Sequence, residues 1–210
     1  MTTGLNGAAI DGHWYLDVLA FVRDTPWLHS PIEIYATYGL ILFGLLVLAT
    51  TFSARRAAPE MLALALWSPV AIVLAFGVND IVKSVFDEPR PCRAIAGVTT
   101  LLPCDGPQDW SFPSNHAAVA GAAAVAILLV NRRWGIVAVL LALLMAASRV
   151  YVGAHYPHDV IVGLLLGGLV GVSGLLVRKP LAPVADKLRD VVATRRGPVA
   201  AGDRQAPHRG

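Results

Sequence analysis

At 210 residues and 22.2 kDa, with 56% hydrophobic and only 15% charged residues and a mean hydropathy of +0.61, the chain is too apolar for an ordinary soluble domain and reads as a multispan membrane protein. Its net charge of +3 is uneven: from Arg178 onward Lys and Arg exceed Asp and Glu by five, which leaves the remainder at −2. A basic tail of this kind suits the anionic cytoplasmic leaflet, and with nothing resembling a nucleic-acid module the composition argues against a nucleic-acid partner.

Met1 to Ala9 lacks the positive segment and apolar core of a secretory signal, so no cleavage is expected. His13 to Ser30 sets Trp14, Tyr15, Phe21 and Trp27 among Asp17, Arg23 and Asp24. That mixture is too charged to span. It suits a helix lying in the headgroup layer, or equally a surface helix packed on a bundle, and Pro31 is expected to end it. Ile34–Phe52 and Met61–Val78 are uncharged runs of 19 and 18 residues. Each is near the length that crosses a hydrocarbon core about 30 Å thick, and Pro69 is expected to bend the second. Ser114–Val130, Trp134–Val152 and Val160–Val177 bring the expected total to five spans. The third, rich in alanine and glycine from Ala117 to Ala124, allows neighbouring helices to approach closely and belongs at the centre of the bundle. Beyond Pro180, Leu181, Val184, Leu188 and Val191 recur at helical spacing among basic residues, which predicts an amphipathic helix on the inner surface, with disorder from Gly197 onward. The predicted fold is an all-α polytopic membrane bundle of about five spans plus an N-terminal interfacial helix. Residues 1–33 form the N-terminal segment, 34–177 the transmembrane unit and 178–210 a basic tail, with no internal repeat.

Arginines orient the spans. Arg55-Arg56 joins the first two, Arg132-Arg133 the third and fourth, and Arg178-Lys179 follows the fifth, so these junctions share one side, expected to be cytoplasmic. The N-terminus, the loop from Asp87 to Phe112 and the turn from Gly153 to Pro157 then share the outer side. Cys92 and Cys104 fall in that outer loop, where an oxidising compartment favours a bridge over free thiols. Such a bridge would contribute about 3 kcal/mol on a chain-entropy estimate and would clamp Arg90.

Three polar clusters meet on the outer side. Lys83, Arg90 and Arg149 are cations with no equal set of carboxylates in the same motifs, and a dianionic phosphate is their simplest partner, because arginine's planar fork matches phosphate oxygens. Singly, each is as readily a side chain snorkelling from a helix end; three together are not. Pro113-Ser114-Asn115-His116 opens the third span, where free backbone N–H groups, the positive end of the helix dipole and the Ser114 hydroxyl offer an anion site, a role compatible with Ser114 capping the helix. His116, within a turn of that site, is placed to protonate a leaving oxygen. His155 and Asp159 are four residues apart, so the carboxylate can fix the tautomer that leaves the other ring nitrogen nucleophilic. Asp80, three residues before Lys83, is a candidate partner for its ammonium. His158 reads as a helix cap or a water-facing group, and Asp87 and Glu88 as solvated loop charges or as partners that help hold Arg90 or Arg93.

The same residues carry a resemblance. Lys83, Arg90-Pro91 after six residues, Pro113-Ser114-x-His116, and Ser148-Arg149 with five residues to His155 and three more to Asp159, together resemble the three-part signature of the type 2 phosphatidic acid phosphatase family, which vanadium haloperoxidases share. The signature covers Lys83 to Asp159, and in this order and spacing it is very specific. The resemblance implies a helical bundle, an outward-facing site, no metal or other cofactor, and a phosphohistidine intermediate. It makes Lys83, Arg90, Ser114 and Arg149 phosphate ligands, His116 the general acid, His155 the nucleophile and Asp159 its orienting partner. Asn115 stands where the family usually has glycine; it either adds an amide donor to the backbone contact with phosphate or narrows the pocket.

A site at membrane level implies a lipid phosphate as partner, with polyprenyl diphosphates, phosphatidic acid and phosphatidylglycerol phosphate as the leading classes. Haloperoxidases sharing the signature are expected to be larger and soluble, against five spans here. A non-hydrolytic anion channel or headgroup transporter could use the cations as a selectivity ring, but it would need neither the His155–Asp159 pair nor His116.

Overall fold

The structure, a computed structural model, describes residues 4–195, and every regular element among them is helical. The disorder expected from Gly197 onward lies outside the described residues. Helix α1 (Gly7–Asp24) starts where the Asn6 side chain accepts the Ala9 N–H, and a short turn at Pro26–Leu28 leads into α2 (His29–Tyr38). Pro31 sits in the first turn of α2, where its missing N–H costs nothing, and so begins a helix rather than ending one. The chain then bends by 53° into α3 (Leu40–Ala54). α4 (Pro59–Phe86) opens on a proline and stops at Asp87, whose φ of 46° is left-handed. After the single turn α5 (Pro91–Ala94) and a long loop come α6 (Asn115–Val130) and α7 (Arg132–Tyr151), the latter capped by the Asn131 side chain, which accepts the Arg133 and Trp134 N–H groups. α8 (Pro157–Val172) and α9 (Gly174–Arg195) complete the chain.

α6 is the central helix, packed against α3, α4, α7 and α8. Its alanines meet glycines of α8. A Cβ on Gly167 would stand 1.9 Å from the Ala118 carbonyl oxygen, so the two backbones touch with no side chain between them. α1 is a packed helix rather than a detached interfacial one: Tyr15, Leu19 and Val22 bury against Ala146, Val150, Tyr151 and Tyr156, while Trp14 and Phe21 stay exposed. The boundary expected at residue 33 consequently falls inside α2, which continues the bundle.

All five expected apolar segments are helical, but their lengths differ from expectation. Among the described residues, three helical stretches (59–94, 132–151 and 157–191) are long and apolar enough to cross a membrane, and the bent pair α2–α3 makes a fourth if taken as one span. α6 is apolar but only 16 residues long. α4 runs unbroken through Pro69 and carries Lys83 at its far end. α9 likewise runs through Pro180, beyond which a separate helix was expected, and through Pro183, because its inner face is held along α4. Leu181 and Ala185 pack on Leu62 and Ala63, Arg189 donates to the Ala57 carbonyl at 3.1 Å, and Trp67 Nε1 donates to Ser173 Oγ at 3.2 Å. Exposed Leu48, Val73, Leu140, Leu165 and Leu176 give α3, α4, α7, α8 and α9 apolar outer faces, as a lipid-facing surface requires.

Candidate active site

The end of α4, the loop around α5, the start of α6, the last turn of α7 and the turn before α8 meet at one end of the bundle. They bring Lys83, Arg90, Asn115, His116, Arg149 and His155 onto the wall of a single cavity of about 380 Å³, completed by Thr37, Phe76, Leu102, Pro103, Asp105 and Asp109.

His155 is 1% exposed. Its Nδ1 lies 3.2 Å from Asp159 Oδ2, and its Nε2 lies 3.5 Å from Arg90 Nη1. The same carboxylate oxygen accepts the Ser111 hydroxyl and, at 2.9 Å, the Tyr156 N–H. Asp159 is thus held as an acceptor, Nδ1 carries the ring proton, and the Nε2 lone pair faces the cations. Burial, and after it the charges of Arg90, Arg149 and Lys83, push the His155 imidazole well below its ordinary value, so the ring is neutral at pH 7. His116 is half-buried on the opposing helix end, and its ring shares the cavity with His155.

The cations are less free than the motifs suggested. Arg90 pairs with Asp105 and Asp109, each at 3.0 Å, and also donates to the Asp109 and Ala154 carbonyls; Lys83 pairs with Asp109 at 3.3 Å. Burial raises the Asp109 carboxyl, but Arg90 and Lys83 outweigh it and hold the group below the usual carboxylate range. These two aspartates lie outside all three motifs and were missed; their only signal was an acidic, Gly- and Pro-containing loop beside Cys104. Any anion entering the cavity would have to compete with them for Lys83 and Arg90. Of the three, Arg149 matches the unneutralised expectation: it is 5% exposed and, among the described residues, reaches only the Ala36 carbonyl at 3.3 Å and leaves its Nε without a partner. Cys92 and Cys104 form a disulfide with a Cα–Cα distance of 6.1 Å, tying the end of the Asp105 loop to the turn that starts at Arg90.

Other expected residues take different places. Ser114 is fully buried and does not line the cavity. Its N–H is donated to the Asp159 carbonyl at 3.1 Å, which pins it against α8, and its hydroxyl caps no helix and has no partner among the described residues. Asp80 is exposed, whereas Lys83 turns inward with Asn79 one helical turn before it, so Asp109 rather than Asp80 holds the ammonium. Glu88, expected in water, is fully buried behind Asp159, and His158, expected to cap a helix or meet water, is partly buried beside it.

Asn115 has a partner that sequence did not suggest. The fully buried Asn79 donates one amide N–H to the Pro113 carbonyl at 3.0 Å and the other to Asn115 Oδ1. The carbonyl of Pro113 can only accept, which orients Asn79 and thereby leaves the Asn115 NH₂ as the free end. Asn115→Gly is expected to retain activity within about tenfold, since backbone contact to phosphate survives; a folded but inactive variant in a phosphate-release assay would show that the amide is required.

A buried histidine backed by a carboxylate, a second imidazole opposite and three cations around one cavity are the parts of a phosphoryl-transfer site, and the chain belongs to the PAP2 superfamily, whose model matches residues 64–180, more than half its length. Among its relatives, undecaprenyl-diphosphatase BcrC of Bacillus subtilis is 32% identical over 149 residues, 71% of this chain and 72% of that one. The undecaprenyl-diphosphatase of Sulfolobus acidocaldarius is 37% identical over 102 residues, 48% of each chain, so the match spans about half of that relative. The crystal structure of Aquifex aeolicus LpxE matches with a TM-score of 0.58 at 28% identity, covering 76% of this chain and 93% of that one.

Proposed function

We propose that this membrane protein hydrolyses a lipid phosphate, a monoester or a diphosphate, through a phosphohistidine on His155. The observation that carries the reading is the pair of imidazoles facing one cation-lined cavity, one of them neutral and tied to a buried carboxylate. His155 Nε2 attacks phosphorus in line as the bond to the leaving oxygen breaks, and His116 donates its proton to that oxygen. Lys83, Arg90 and Arg149 hold the equatorial oxygens, with Asn115 and the start of α6 as further donors, so positioning and electrostatics supply most of the acceleration. His116 then takes a proton from water, whose oxygen attacks the phosphohistidine to release inorganic phosphate and free His155. Asp159 keeps the Nδ1 proton in place throughout.

Among substrates, polyprenyl diphosphates come first, supported by the two relatives being undecaprenyl-diphosphatases; phosphatidic acid and phosphatidylglycerol phosphate are the other classes that fit a site at membrane level. The cavity lies at the end of α4, α6 and α7 opposite the arginine-rich junctions, which supports an extracytoplasmic site with residues 178–210 on the cytoplasmic side. The deciding experiment is release of inorganic phosphate by purified, detergent-solubilised protein from a panel of lipid phosphates with EDTA present. Turnover that EDTA leaves unchanged and orthovanadate inhibits is expected; binding of the lipids without any phosphate release would instead support a carrier.

A further inference from the structure

Behind the nucleophile, on the far side of Asp159 from the cavity, three carboxylates close around one histidine. Asp11 interrupts α1, with φ −144° and ψ 26°, and is 5% exposed. Its Oδ2 accepts the His158 backbone N–H at 2.7 Å, and its Oδ1 stands 2.8 Å from His158 Nδ1. The other ring nitrogen, Nε2, lies 3.2 Å from Glu88 Oε2 and 3.4 Å from Asp159 Oδ1. With a carboxylate at each nitrogen, the ring carries both protons and is an imidazolium. It stacks between Phe112 (5.6 Å between centroids) and Tyr156 (5.7 Å), a setting that favours a cation.

Glu88 and Asp159 are both fully buried, and a buried carboxylate needs a compensating charge. Asp159 commits Oδ2 to His155, Ser111 and Tyr156, while Oδ1 has no hydrogen bond and only His158 within ion-pair distance. The N-terminal helix is built to reach this cluster: a Cβ on Gly7 would stand 1.9 Å from Glu88 Oε1 and 2.6 Å from the Tyr156 ring. We propose that Asp11, Glu88 and His158 are positioning residues that hold Asp159 against His155, making α1 a working part of the catalytic apparatus. The inference rests on the phosphatase reading above.

The test is a mutant cycle on the full chain in detergent, following phosphate release from farnesyl diphosphate. His158→Gln and Glu88→Gln, each close in shape to its parent, are expected to lower kcat about tenfold or more with KM within about threefold, and to cost less than about twofold in Asp159→Asn protein, because positioning acts only through that carboxylate. Equal losses in both backgrounds, or losses confined to KM, overturn the proposal. If one variant fails to fold, the other carries the cycle. Asp11→Asn keeps an oxygen for the His158 N–H but removes the charge; full activity there excludes α1 from the arrangement. Glu88, His158 and Asp159 also place ligand-type atoms within 4.8 Å of one another. A wild-type rate that falls with EDTA, recovers with added zinc or magnesium and loses this response in His158→Gln would put an ion in place of the imidazolium and overturn the proposal. No phosphate release by the wild type from any lipid phosphate would instead overturn the phosphatase reading itself, and this inference with it.

Discussion

His155→Ala is expected to lower turnover at least about 10⁴-fold while the purified protein keeps its size-exclusion profile. The loss is large because His155 Nε2, on a ring that burial keeps neutral, faces Arg90, whereas the Asp105 and Asp109 carboxylates beside it are engaged in ion pairs. A second readout ties the effect to mechanism. Wild-type protein quenched during turnover should carry an acid-labile, base-stable phosphate that His155→Ala lacks. Retention of more than about one per cent of the wild-type rate would remove His155 as nucleophile and make direct attack by water the better account.

His116→Ala is expected to cost about 10² to 10⁴ in kcat with an alkyl phosphate, whose leaving oxygen needs a proton, and far less with an aryl phosphate, whose phenolate departs unprotonated. The contrast between leaving groups matters more than either rate. An equal loss with both would mean that His116 serves phosphate binding or the hydrolysis of the intermediate rather than departure of the alcohol. Since His116 and His155 share one cavity wall, the double variant should be little worse than His155→Ala alone, as expected of groups that act as a unit.

The motif residues were legible because each is tied to a position the chain must adopt: Arg149 at the end of an apolar run, Asn115 and His116 at the start of another, His155 and Asp159 at helical spacing across a turn. Counting spans alone is enough to bring them to one face. What the sequence concealed lies in contacts between segments far apart along the chain. Asp105 and Asp109 sit in a loop without periodicity, and only folding sets them on Arg90 and Lys83. Glu88 and His158 read as loop and cap residues because nothing local announces that Asp11, more than 70 residues away from either, will face one side of the His158 ring while Glu88 faces the other. Proline was over-read at Pro31 and Pro180: both lie within helices, where first-turn placement or packing against a neighbour outweighs the lost hydrogen bond.

The seam at Gly167 has a mechanical consequence. Where two main chains abut directly, there are no rotamers to give way, so α6 and α8 tilt as one plank when the surrounding bilayer thins or thickens. His116 rides on one helix and Asp159 on the other, and these side chains are therefore expected to keep their registration in lipid of different thickness.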